Sequence, residues 1–229
     1  MKVKQISDHI YKVEAWFGVK ISAWAVKTDK GSILVDTGMN FMTSSLLKLA
    51  KEYGPLQMIL LTHGHMDHTN GISSILKKDK VPVYAHEQEI LYMEGDLIYP
   101  RRKKPEYLVK KGVVKRIPSD EAGNLHTMMG LTPYFTPGHS PGHTVFYHDQ
   151  DDVLLCGDLF TSKKGELSPP IKAFTADMEQ AVESGRIVKS LAPRLASICH
   201  GNDVEYPGSK YKLYEQRYGR NNKTLYNPL

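Results

Sequence analysis

Apolar positions along this chain fall into many short runs, some alternating with polar residues and some continuous, a pattern that favours strands with helices between them. Strands are expected at Val3 to Glu14, Ile21 to Thr28 and Ser32 to Asp36, then a helix from about Thr43 to Tyr53 that Gly54-Pro55 stops. The apolar run Gln57-Met-Ile-Leu-Leu61, with Gly54-Pro55 before it and glycine after it, reads as a buried strand. Gly71 to Lys78 reads as helix, Val81 to Ala85 as strand and Glu87 to Glu94 as helix. After an irregular stretch from Asp96 to Asp120, strands recur near Leu131 to Phe135, Thr144 to His148 and Asp152 to Cys156. A helix around Asp177 to Leu191 and a strand before His200 complete the pattern. The result is two similar β-rich, helix-flanked halves without a short repeat. At 229 residues the chain is long enough for one α/β layered domain over 1–229.

Candidate chemistry is concentrated where the strand at Gln57 to Leu61 ends. Residues 62 to 68 read Thr-His-Gly-His-Met-Asp-His. In an extended backbone, residues two apart project to one side, so His63 and His65 can converge on one ion while Asp67 and His68 face a second. A lone histidine or aspartate is ordinarily a solvated or hydrogen-bonded side chain, but four with this spacing reverse that reading. The spacing also differs from the helical H-E-x-x-H arrangement, whose histidines lie four apart. Two ions need more donors than one loop supplies, since zinc favours four contacts and a catalytic site keeps one position for water. Three downstream residues are candidates: His139 in Thr136-Pro-Gly-His139, Asp158 after Val153-Leu-Leu-Cys-Gly157, and His200 after Leu195-Ala-Ser-Ile-Cys199. Each follows a strand-like run and has glycine beside it.

In this order, Val35-Asp36-Thr37-Gly38, the Thr62 to His68 block, Thr136-Pro-Gly-His139, Gly157-Asp158 and His200-Gly201 resemble the motifs of the metallo-β-lactamase fold superfamily. The resemblance runs from about the first strand to Gly201. It implies an αββα four-layer sandwich, two mixed sheets face to face with helices outside. It also implies that His63, His65 and His139 hold one metal, that Asp67, His68 and His200 hold the other, and that Asp158 bridges them, with Asp36 supporting the ligands from behind. His143 is expected to be structural, because His139 takes the ligand position. The activity implied is hydrolysis of an ester, thioester, lactone, amide or phosphoester by water activated at two divalent ions, with zinc first and iron or manganese as alternatives. Asp67 would orient that water and pass a proton to the leaving group. Lactonases of this fold carry tyrosine three residues after the bridging aspartate, where this chain has Thr161, and Thr161-Ser-Lys-Lys-Gly165 is only loosely similar to the basic segment of the glutathione thioesterases. An iron-dependent sulfur dioxygenase or oxidoreductase on the same fold is the alternative class.

Gly138-His-Ser140-Pro-Gly142 also fits G-x-S-x-G, with Asp158 and His200 in serine-hydrolase order. A nucleophile elbow needs a helix after its serine, whereas Thr144-Val-Phe-Tyr147 reads as strand. Net charge of +5 gathers in the 96–120 stretch, at Arg101, Arg102, Lys103, Lys104, Lys110, Lys111, Lys115 and Arg116, with Lys163 and Lys164 beyond Asp158. This stretch is either a solvated face or a basic lid favouring a small anionic substrate; one basic loop does not establish nucleic-acid binding or a nuclease. The basic, tyrosine-rich tail over 206–229 would pack on the body, form a homodimer contact or move freely. Residues Met1 to Ile10 contain no apolar export segment and no run reaches membrane-span length, so no membrane association and a cytoplasmic location are expected. Cys156 and Cys199 are expected as buried reduced thiols.

Overall fold

The computed structural model describes residues 1–219. Its first sheet has seven strands in sequence order: β1 (Lys2–Gln5), β2 (Ile10–Phe17), β3 (Val19–Thr28), β4 (Gly31–Val35), β5 (Leu56–Leu60), β6 (Val83–Ala85) and β7 (Val114–Arg116). Strands β1 to β4 pair antiparallel through tight reversals, and β4 to β7 pair parallel. Parallel neighbours need crossovers. Helix α1 (Thr43–Glu52) supplies the first, α2 (Met66–Thr69) and α3 (Ile72–Leu76) the second, and α4 (Glu87–Met93) the third.

The second sheet is built from β8 (Leu131–Phe135), β9 (Thr144–His148), β10 (Val153–Leu155), β13 (Leu195–Ser197) and β14 (Val204–Glu205), in the spatial order β14-β13-β10-β9-β8. Between β10 and β13 the chain forms the hairpin β11 (Thr161–Lys163) with β12 (Glu166–Ser168), then α5 (Met178–Ser184) and α6 (Ile187–Leu191). Helix α7 (Pro207–Tyr218) follows β14.

Three apolar layers separate four structural ones. Alternation along each strand sends one set of side chains to each face. On β3, Ile21, Ala23 and Ala25 pack with Leu46, Ile72 and Ile75 of the first helical layer, while Trp24 and Val26 pack with Phe146, Val153 and Leu195 of the second sheet. Val145, Leu154 and Ala196 face Val182, Val188, Tyr211 and Tyr214 on the outer helices. At ~1.5–3 kcal/mol for each large apolar side chain fully removed from water, these layers supply the principal stabilisation.

Three local expectations change. The strand expected at Val3 to Glu14 is two strands, because the chain reverses at Ile6–His9, where the amides of Ile6 and Ser7 both donate to the Ile10 carbonyl, 2.9 and 3.4 Å away. The single helix expected around Asp177 to Leu191 breaks at Gly185-Arg186; a Cβ on Gly185 would sit 2.9 Å from the Phe160 ring. The 96–120 stretch contains β7, the edge strand of the first sheet, which carries Lys115 and Arg116.

The described part of the 206–229 tail forms α7, with Tyr211 and Tyr214 buried against the second sheet; residues 220–229 lie outside the described residues. Cys156 and Cys199 are both buried and free. Among the described residues, no helix is long and apolar enough to cross a membrane.

Candidate metal centre

Strands β4, β5, β10 and β13 end at one edge of the sandwich, and their following residues meet the β8–β9 loop there. The seven side chains singled out from the sequence all converge at this edge in two groups. In the first, His63 Nε2 and His139 Nε2 lie 3.0 and 3.1 Å from His65 Nδ1. In the second, His200 Nε2 is 3.2 Å from Asp67 Oδ2, and His68 Nε2 is 3.7 Å from the same oxygen. Asp158 stands between the groups: Oδ2 is 3.3 Å from His139 Nε2 and 3.0 Å from His200 Nε2, and Oδ1 is 3.3 Å from His68 Nε2.

These separations fit metal ligands. Donor atoms of a tetrahedral ion with bonds of ~2.0–2.1 Å lie ~3.3 Å apart. An N–H···N hydrogen bond can satisfy one pair of these three converging imidazole nitrogens, whereas an ion between them would engage all three at once. Asp158 Oδ1 is buried and makes no hydrogen bond, with the His68 ring 3.3 Å away as its charged neighbour, so it keeps a lone pair free for an ion.

In His63, His68, His139 and His200 the other imidazole nitrogen is held from behind, which fixes the ring. His68 Nδ1 is 2.7 Å from Asp36 Oδ2, and His200 Nδ1 donates to the Lys20 carbonyl at 2.6 Å. His139 Nδ1 is 3.2 Å from Thr175 Oγ1, and His63 Nδ1 is 3.1 Å from Thr62 Oγ1. Asp36 also accepts from the Thr62 amide and hydroxyl, both at 2.8 Å. Its φ of 58° is a left-handed backbone that aspartate tolerates better than most residues, and this turn aims the carboxylate back across β5. Gly157, with φ of 49°, passes so close to Thr62 that a Cβ would meet it at 2.7 Å.

His143 is no ligand. Its Nδ1 bonds Thr136 Oγ1 at 2.9 Å and its Nε2 accepts the Asp158 amide at 3.1 Å, so both nitrogens are used in holding the Asp158 backbone. Ser140 is no nucleophile either: it is fully buried, its hydroxyl donates to Glu89 Oε2 at 2.9 Å, and β9 rather than a helix follows it.

Charge divides the site. Burial, with repulsion from neighbouring imidazoles, drives His63 and His139 well below the usual imidazole value, and burial brings His65 to about 4. These three are neutral donors. Burial alone would lower His68 and His200 too, but Asp36 first of all raises His68 well above its usual value, and Asp158 first of all raises His200 to about 12. Burial would raise Asp158, yet His200, His68 and His139 hold it well below the carboxylate range. This half of the site calls for positive charge, which protons supply when no metal does.

Two supports escaped the sequence reading. Glu89, fully buried on α4, accepts from the Gly64 amide (2.9 Å) and Tyr99 hydroxyl (2.7 Å) through Oε1, and from the Ser140 hydroxyl (2.9 Å) and Gly142 amide (2.7 Å) through Oε2. It ties the His63–His65 loop to the His139–His143 loop; a Cβ on Gly142 would collide with the Glu89 amide at 2.4 Å. Burial pushes its carboxyl above the usual range despite the four donors. Lys12, fully buried on β2, donates to the Ile198 carbonyl (2.6 Å) and to Asp203 (2.7 Å), fixing the segment that carries His200. Cys199 Sγ lies 3.8 Å from His68 Nε2, yet it is engaged by the Ser22 amide at 3.3 Å on β3.

Of the basic residues in 96–120, Arg101 and Arg102 line the opening beside His65 and His139. Arg101 straps this loop to the carbonyls of Lys172 (2.8 Å) and Thr175 (3.0 Å). Arg102 lies 5.7 Å over the Phe174 ring and 3.7 Å from Glu106. Lys111 instead pairs with Asp96, at 2.6 Å. The β2–β3 hairpin exposes Trp16 and Phe17, the latter 6.3 Å from the Phe41 ring, and Met66 is exposed between His65 and Asp67.

A family model described as the metallo-beta-lactamase superfamily matches residues 16–200. A probable metallo-hydrolase of Bacillus subtilis, YybB, is 35% identical over 222 residues, covering 95% of this chain and 99% of that one. A hydroxyacylglutathione hydrolase of Francisella tularensis subsp. novicida is 31% identical over 140 residues, covering 59% of this chain and 45% of that one. The solved metallo-beta-lactamase from Erythrobacter litoralis, 17% identical, shares the fold with a TM-score of 0.73 over 93% of this chain and 96% of its own. On these grounds the chain belongs to the metallo-beta-lactamase superfamily.

Proposed function

We propose that this protein is a metal-dependent hydrolase with a dinuclear centre bridged by Asp158. The observation that carries this reading is the place of the Asp158 carboxylate, with Oδ2 3.3 Å from His139 on one side and Oδ1 3.3 Å from His68 on the other. His63, His65 and His139 would hold one ion; Asp67, His68 and His200 the other. Zinc suits this set of imidazole and carboxylate donors, which also accommodates iron and manganese. When bound, the ions would make a nucleophilic water available near neutral pH and polarise the scissile oxygen.

The side chains have distinct tasks. Asp67 is the most exposed of the seven, its side chain at 26%, and stands where a carboxylate can take a proton from the attacking water and return it to the leaving group. His68 reaches the site with its ring fixed by Asp36, and Glu89 keeps the two histidine loops in register.

The opening supports a small substrate with an acyl group and an anionic end. Phe174 and Pro100 provide apolar surface in the opening beside the cluster, and Arg102 provides a cation near His65. Esters, thioesters and lactones of such acids fit this description. The relative named hydroxyacylglutathione hydrolase adds weight to a thioester. The test is a panel of acyl esters, thioesters, lactones and phosphoesters, assayed on zinc-loaded, manganese-loaded and chelator-treated protein. Turnover of a carboxylic ester or thioester, lost on chelation and restored by metal, is expected. Turnover unaffected by chelation would refute the proposal.

A further inference from the structure

We propose that Arg101 is a positioning residue for the ligands of the first metal: acting through Thr175, it holds the His139 ring with its Nε2 lone pair turned towards His65 and Asp158. The inference rests on the proposed role of His139 as a ligand, and it gives Arg101 a task different from that of Arg102.

The path to Arg101 starts at the imidazole. His139 is neutral, so only one of its nitrogens carries a proton. Its Nδ1 lies 3.2 Å from Thr175 Oγ1, and the Thr175 hydroxyl donates its own proton to the Ile171 carbonyl, 2.9 Å away. The hydroxyl therefore accepts from His139 Nδ1–H. That leaves Nε2 unprotonated, 3.1 Å from His65 Nδ1 and 3.3 Å from Asp158 Oδ2. Thr175 is 1% exposed, so water does not compete for this bond.

Thr175 is held from two sides. On one, the Ala176 amide donates to the His139 carbonyl at 3.0 Å and the Asp177 amide to the Gly138 carbonyl at 2.8 Å, which keeps the two segments in register. On the other, Arg101 Nη1 donates to the carbonyls of Lys172 and Thr175, spanning the short turn Lys172–Phe174. Arg101 itself has a φ of 66°, a left-handed backbone that a residue with a Cβ adopts only where its surroundings enforce it. Two residues earlier, the Tyr99 hydroxyl donates to Glu89, and the Tyr99 ring stands 5.2 Å from the His65 ring. One short stretch thus touches the surroundings of His65 at Tyr99 and those of His139 at Arg101.

The sign of the effect separates positioning from charge. Removing a cation beside a metal site favours a divalent ion by ordinary electrostatics. Loosening a ligand disfavours it.

The test takes wild type, Arg101→Gln, Arg101→Lys, Arg102→Gln, Thr175→Val and the double variant Arg101→Gln with Thr175→Val. Competition with a chromophoric chelator reads zinc affinity, and long-range proton–nitrogen NMR of the metal-free full chain reads which His139 nitrogen carries the proton. Thr175→Val should weaken zinc binding ~10–100-fold and let the proton move to Nε2. Arg101→Gln acts one contact further from the ring and should weaken binding by up to ~10-fold, with part of the His139 population shifted to Nε2–H. Arg101→Lys can still donate to both carbonyls and should recover most of that loss. The double variant should bind no more weakly than Thr175→Val, because both changes act along one path. Arg102→Gln deletes the same charge from the same loop, yet should bind zinc at least as tightly as wild type. Should Thr175→Val fail to fold, Arg101→Gln against Arg102→Gln, both at exposed positions, still decides the matter. Zinc affinity of Arg101→Gln at or above wild type, with the His139 proton still on Nδ1, would overturn the proposal, as would losses that add in the double variant. The NMR reading needs neither metal nor substrate, so it tests Arg101 even if the protein proves not to be a dinuclear hydrolase.

Discussion

Replacing Glu89 by glutamine should loosen both histidine loops at once. Its fully buried carboxylate receives two backbone amides and two hydroxyls. A carboxamide has one acceptor oxygen. That oxygen can serve the Gly64–Tyr99 pair or the Gly142–Ser140 pair, and the NH₂ must then face the other. Tyrosine and serine hydroxyls rotate to accept, but a backbone N–H cannot, so one glycine amide is orphaned. The cost is ~1–3 kcal/mol. Glu89→Ala orphans all four donors, a loss that approaches the ~5–15 kcal/mol holding a whole domain together, so glutamine is the informative change. Because Gly64 separates His63 from His65, and Gly142 adjoins His143, metal affinity should also fall ~10–100-fold. Urea unfolding of the metal-free protein measures the first effect, and zinc competition with a chromophoric chelator measures the second. A Glu89→Gln protein with wild-type midpoint and wild-type zinc affinity would refute the role assigned to this residue.

Asp158→Ala should remove a ligand from both ions, leaving metal content well below two per chain and almost no hydrolysis, whereas His143→Gln should keep both metals at saturation with at most a ~10–100-fold loss of affinity or activity; metal analysis beside turnover separates the two. Arg102→Gln should raise KM for anionic substrates about 1.4- to fivefold, the size of a partly exposed ion pair of ~0.2–1 kcal/mol, leave neutral substrates unchanged, and lose its effect as salt rises. Metal affinity should climb with pH: His68 and His200 have raised pKa values, the latter about 12, so both hold protons at neutral pH without metal, and binding must expel them. Calorimetry in buffers of different ionisation enthalpy counts these protons, and an affinity independent of pH between ~6 and ~8 would contradict the assignment. In the metal-free protein the sign is opposite for stability, because a histidine with a raised folded pKa stabilises fully below ~6.5 and loses that contribution as pH rises towards its folded value.

The ligand residues were legible because they are contiguous or end apolar runs: four lie within Thr62 to His68, and His139, Asp158 and His200 each follow a strand-like segment. What holds them was not. Glu89 sits in Glu87-Gln88-Glu89, which reads as the polar face of a surface helix; only the approach of the Gly64 and Gly142 loops buries it. Lys12 lies in an alternating strand at a position that looks solvent-facing, and becomes core because Asp203, distant in sequence, supplies its counter-charge. The reversal between β1 and β2 carries neither glycine nor proline, and Ser7-Asp8 is too short a turn signal to have divided the expected strand. The break at Gly185-Arg186 falls where Gly185 packs closely on the Phe160 ring, a contact that no local pattern contains. Among the charges of 96–120, sequence alone did not separate Arg101 and Arg102, beside the cluster, from Lys115 and Arg116 on the edge strand.

The central claim is a dinuclear centre shared through Asp158. Zinc-edge anomalous diffraction from metal-loaded crystals tests it most directly. The account predicts two anomalous peaks at the main cluster, ~3.5–4 Å apart as in two-metal hydrolytic sites, with the Asp158 carboxylate between them. A single peak at full occupancy, or two peaks with Asp158 bound to only one, would contradict it.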